Sequence, residues 1–124
     1  MIEEHKYKIC FSIKFNRIRV NQQTILDMGY PKLVRLLINP ETKELAIQPC
    51  NSHEKLSFKV PKDFAENKHG FELSSITLTQ LLVDKMGWDL NTHYKVYGRY
   101  VKKENIVVFS LNEYEEVQNE EYEI

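Results

Sequence analysis

Lys14, Arg17 and Arg19 crowd one short stretch of this chain, and further on HYKVYGRYVKK (93–103) interleaves Tyr94, Tyr97 and Tyr100 with Lys95, Arg99, Lys102 and Lys103. Cations at that density hold phosphates, and aromatic rings beside them stack on bases; together they are the footprint of a nucleic-acid surface. The same residue types also have plain structural uses. Tyrosine is a good strand residue, and lysines at a hairpin tip discourage edge-to-edge association.

No other constellation competes with this one. The sequence has no phosphate-binding glycine loop, no paired-histidine metalloprotease helix and no serine elbow. Cys50 and His53 have a ligand-like spacing, but a structural zinc needs four ligands and no second pair appears. The same two residues in one loop do not make an activated thiol dyad. His5, His53, His69 and His93 share no interpretable spacing. The expectation is a protein that is not an enzyme and needs no cofactor, metal or small-molecule substrate.

Net charge is −1, yet six of the 18 acidic residues (Glu113, Glu115, Glu116, Glu120, Glu121 and Glu123) lie in residues 112–124. Residues 1–111 are therefore a mildly basic body near +5, followed by an acidic tail. That arrangement permits a polyanionic partner for the body, while Glu115, Glu116 and Glu120 with the tyrosines of 94–100 offer a surface to a basic protein. No apolar run approaches the ~18 residues of a membrane span, and MIEEHKYKIC is not a secretory signal. With only two cysteines, the expected compartment is the cytoplasm.

These side chains need strands to position them. YKICFSIKF (7–15) alternates strictly, with Tyr7, Ile9, Phe11, Ile13 and Phe15 on one face, which predicts a half-buried strand. Beyond it the apolar phase moves to Ile18 and Val20, so a tight turn is expected at Asn16-Arg17. Asn21 then caps a helix over Gln22–Met28 that Gly29 closes. LVRLLIN (33–39) and KELAIQ (43–48) form a hairpin, the first strand apolar enough to be buried on both faces.

The second half predicts the same order. KLSFKV (55–60) and FELSSITL (71–78) are strands; Thr79, or Thr77 with Gln80, starts a helix that ends at Gly87; HYKVYGRYV (93–101) and ENIVVFSL (104–111) form a hairpin. RIRVNQQTILDMG (17–29) and SITLTQLLVDKMG (75–87) align without a gap, sharing Ile, Gln, Met and Gly. The fold class expected is mainly β with two short helices (α+β). It is a single domain over 1–111, in which two ββαββ repeats (6–50 and 55–111) interleave as a pseudo-dimeric barrel of about eight strands.

Residues 16–50 resemble the AbrB/SpoVT swapped-hairpin family. In that pattern Asn16-Arg17 stands for a Gly-Arg turn, Ile18-Arg19-Val20 for a β-branched strand, Met28-Gly29 for a Leu-Gly helix end, and Pro49 for the proline closing the last strand. The resemblance implies a barrel that normally forms from two chains and here forms from one, as a pseudo-dimeric monomer or a homodimer of it. It also implies DNA binding by a transcriptional regulator or antitoxin through arginines on one face, with Arg17 at the family's turn position. The basic pair that such regulators often carry in the helix falls on Ile25 and Leu26, and the second copy has Ser75 opposite Arg17, so the face is asymmetric.

Two functions follow as expectations. One is a small DNA-binding regulator that uses Lys14, Arg17, Arg19, Lys95, Arg99, Lys102 and Lys103. The other is a protein-binding module, such as a phage or mobile-element inhibitor of a host protein, docking through Tyr94, Tyr97, Tyr100 and the acidic residues.

Overall fold

The computed structural model describes residues 6–51, 57–61 and 70–117. Within these residues eight strands and two helices follow one another as β1 (Tyr7–Ser12), β2 (Arg17–Val20), α1 (Gln22–Asp27), β3 (Leu33–Asn39), β4 (Glu44–Pro49), β5 (Ser57–Lys59), β6 (Phe71–Ser74), α2 (Ile76–Met86), β7 (His93–Val101) and β8 (Ile106–Val117). All eight strands belong to one sheet in the order β5-β3-β4-β8-β7-β1-β2-β6, curled into a nearly closed barrel. Every pairing is antiparallel.

Period-two alternation sets the inside of the barrel. Ile9 and Phe11 on β1, Ile18 and Val20 on β2, and Val107 and Phe109 on β8 are fully buried. Ile25 from α1 and Leu78 and Leu82 from α2 join the same core. Burial of this strand-borne apolar surface is the main stabilising contribution, since both helices are too short to be stable alone.

Asn21 starts α1 as expected. Its Oδ1 accepts the Thr24 N–H at 3.3 Å and the Lys8 N–H at 3.2 Å, and its Nδ2 donates to the Lys6 carbonyl at 2.6 Å. One side chain therefore caps the helix and ties it to the start of β1. The chain leaves α1 through Met28 and Gly29, the latter at φ 91°.

Several expected boundaries change. Ile13–Phe15 is not strand but a 3₁₀ turn, because Asn16 takes the left-handed conformation (φ 54°) and its N–H donates back to the Ile13 carbonyl at 3.1 Å. Ile13 stays in the core, whereas Phe15 swings out to 54% exposure. β3 is buried on one face only: Val34 and Leu36 point inward and Leu37 is exposed.

β6 stops at Ser74, not at Leu78. Ser75 caps α2 by accepting the Leu78 N–H on its Oγ at 3.1 Å, so Ile76–Leu78 is helix while Ile18–Val20 is strand. The gapless match of 17–29 to 75–87 therefore sets strand against helix; β2 itself is hydrogen-bonded antiparallel to Phe71–Ser74, just before the matched segment. β8 does not stop at Leu111 either. It continues to Val117 along the first residues of β7, with Lys95 opposite Glu115 and Tyr94 opposite Glu116.

Candidate nucleic-acid interface

The expected basic residues occupy three places, not one face. Lys14 lies within the 3₁₀ turn and Arg17 just after it, at the end of the barrel where Ser12 pairs with His93. Arg99, Lys102 and Lys103 lie toward or in the β7–β8 turn at the opposite end, ~30 Å away along β7. Arg19 and Lys95 sit between them on the outer surface of the sheet.

Cross-strand register places Glu72, Arg19, Cys10, Lys95 and Glu115 in one row across β6, β2, β1, β7 and β8. Carboxylates end the row on both sides, so the outer face is not a continuous positive track. Glu72 receives two arginines: Arg17 Nε donates to Oε2 and Arg19 donates to Oε1, each at 3.1 Å. At this exposure such pairs contribute at most about 1 kcal/mol, and a phosphate can compete for them. Cys10 is half-buried, and burial pushes its thiol up against the opposing pull of Lys95, Arg19 and Lys8.

The tyrosines are not the free stacking surface their spacing suggested. Tyr94 is 3% exposed, its ring stacks on Trp88 at 4.2 Å between centroids, and its hydroxyl accepts the Asp89 N–H at 2.7 Å. It is a core residue and presents no ring to a partner. Tyr100 packs against Tyr7 and donates its hydroxyl to Asn105 Oδ1 at 2.7 Å, while Asn105 Nδ2 donates to the Met28 carbonyl at 3.2 Å. That chain of contacts ties the β7–β8 turn to the end of α1. Tyr97 is half-buried, which raises its phenol, and its hydroxyl donates to Glu115 at 3.4 Å. Glu116 is exposed on β8, and Glu120 lies outside the described residues.

The accessible ring beside these cations is Phe15, which the alternation pattern had assigned to the core; Tyr30, 52% exposed, is the other ring open to that degree among the described residues. Lys14 Nζ lies 5.7 Å and the Arg17 guanidinium carbon 5.6 Å from its ring centroid, within cation–π reach. Two bonds reach across to α2 and hold the turn: the Asn16 carbonyl accepts the Ser75 N–H at 3.0 Å, and Asn16 Oδ1 accepts the Thr79 hydroxyl at 2.6 Å. Ile76, 70% exposed, comes next along α2. The shift of apolar phase after Phe15 was the available signal that this residue leaves the barrel. Nothing local in the sequence marked Glu72 as the partner of both arginines.

Among the described residues no cluster of metal-ligating side chains forms, and no helix is long and apolar enough to cross a membrane. Comparison with known proteins returns no match, whether to family models, curated proteins or solved structures.

Proposed function

We propose that this chain is a small non-enzymatic DNA-binding regulator, built as two fused ββαββ units in the manner of the AbrB/SpoVT family, with the Lys14–Arg17 turn as its contact centre. The observation that carries the reading is the turn itself: an aromatic ring held out to solvent between two cations, on a loop anchored by two bonds to the start of α2. Anchoring removes the ordering cost that a flexible basic loop incurs on binding.

The fused-unit part of the reading is supported by the strand neighbours. If β1–β4 are exchanged for β5–β8 in turn, β1–β7 becomes β5–β3, β3–β4 becomes β7–β8, and β2–β6 and β4–β8 map onto themselves. The remaining pair, β1–β2, maps onto β5 and β6, the two ends of the sheet. Interleaving of this kind is what two units would need to cover each other's edges.

A second reading, a protein-binding module, is favoured by the far end of β8. Tyr114, 39% exposed, stands edge-on to Trp88 and Tyr94, and Glu113, Glu115 and Glu116 flank it along the strand. The two readings separate by anisotropy of labelled DNA titrated with the full chain at low and moderate salt. The first expects binding that weakens as salt rises and is lost in Lys14→Ala/Arg17→Ala; absence of binding at low salt leaves the second.

A further inference from the structure

We propose that the Lys14–Arg17 turn takes an unpaired nucleotide, with Phe15 stacking on the base and Lys14 and Arg17 holding the adjoining phosphates. The inference rests on the nucleic-acid reading above and names the form of nucleic acid that the site prefers.

Phe15 is the most exposed aromatic side chain among the described residues, at 54%. A large ring left in water at that level forgoes the stabilisation that its neighbours Ile9, Phe11 and Ile13 gain by burial. The exposure does not come from a loose loop. The 3₁₀ turn over Ile13–Phe15 ends the strand's alternation and leaves Phe15 outside, and the next residue, Asn16, is fixed by its two bonds to Ser75 and Thr79. Ile76, beside Ser75, adds exposed apolar surface next to the turn.

The cations fix the chemistry of the ligand. A bare apolar ring suits many partners, but Lys14 and Arg17 both lie within 6 Å of the Phe15 centroid. A base on the ring would bring its own phosphates within reach of those cations, the arrangement found in grooves that bind single strands. In a duplex the flat faces of the bases are covered by their neighbours, and exposing one costs a few kcal/mol. Two cations at the ring, with Glu72 drawing on Arg17, are also few for a surface that must follow a duplex backbone. A single strand of low charge demand and open base faces fits both observations.

The test uses the full chain and a labelled mixed-sequence oligonucleotide of about 12 nucleotides. The oligonucleotide is offered single-stranded and as its duplex, at low salt, to the wild type, Phe15→Ala and Phe15→Trp. The variants are checked for an unchanged melting curve, which an exposed position allows. The proposal expects tighter binding to the single strand, a loss of about tenfold or more in Phe15→Ala, and retention in Phe15→Trp. Equal affinity for both forms, with Phe15→Ala unchanged, overturns the stacking role while the DNA reading stands. No binding to either form overturns both, and the exposed ring then belongs to a protein contact.

Discussion

Asn16 and Thr79, from opposite halves of the chain, are joined by a 2.6 Å hydrogen bond from the threonine hydroxyl to the asparagine Oδ1, at the point where the β1–β2 turn meets α2. Thr79 is 2% exposed, and the same hydroxyl also lies within bonding distance of the Ser75 carbonyl. Asn16 thus has two roles: it accepts the turn's left-handed backbone, which asparagine tolerates better than most residues, and it locks that turn to the helix. Asn16→Ala is expected to lose about 1–3 kcal/mol, the sum of a missing part-buried bond and a β-carbon forced into positive φ. Asn16→Gly should recover the backbone part alone. Thermal melts of the two variants separate the contributions; equal losses would mean that the backbone conformation is not strained in alanine.

Glu72 is expected to oppose anion binding, because both of its oxygens hold arginines of β2. Glu72→Gln removes the charge, releases Arg17 and relieves Arg19 of that partner. Affinity for an oligonucleotide should rise several-fold, with a steeper dependence on salt by up to about one phosphate contact. The same substitution should leave the melting temperature nearly unchanged, since exposed ion pairs contribute little.

Gly98 faces Phe109 across the β7–β8 pairing, where the register shifts after Val96. A β-carbon there would sit 2.7 Å from Phe109 Cδ2 and 2.9 Å from the Val108 carbonyl oxygen. Phe109 is fully buried, so the ring has little room to yield. Gly98→Ala is expected to cost about 1–3 kcal/mol in urea unfolding, an overpacking loss.

Tyr7 gives the fold a base-sensitive point. Burial, followed by its hydrogen bond to Asp27, pushes the phenol from its ordinary 10 up to about 12. The group favours the folded state in its neutral form, so that contribution is intact below pH ~10, the unfolded value, and is lost as pH climbs toward the folded value near 12. Melting temperatures should therefore fall across that window, and the fall attributable to this site should be absent in Tyr7→Phe.

Much of the frame was legible because it is local. The alternation of Tyr7, Ile9 and Phe11, the cap at Asn21 and the turn at Asn16 each follow from a few adjacent residues, and all three stand in the structure. Other features depend on distant partners. SSITL begins a helix as readily as it continues a strand, and the choice falls to helix where Ser75 bonds back to Asn16. LNEYEEV reads as a solvated acidic stretch, but Glu115 stands opposite Lys95 and Val117 is buried, so the strand runs through it. The candidate site was half legible. Lys14 and Arg17 were marked by charge, whereas Phe15 was hidden in a period-two pattern that the 3₁₀ turn breaks from Ile13, two residues before its end.

The most direct measurement is a backbone amide NMR titration of the full chain with a short single-stranded oligonucleotide. Binding at the turn predicts shifts concentrated at Ile13–Arg17 and, through the Asn16 bonds, at Ser75–Thr79. Shifts concentrated at Arg99–Lys103 or along Asn112–Val117, or none at saturating oligonucleotide, would contradict the account.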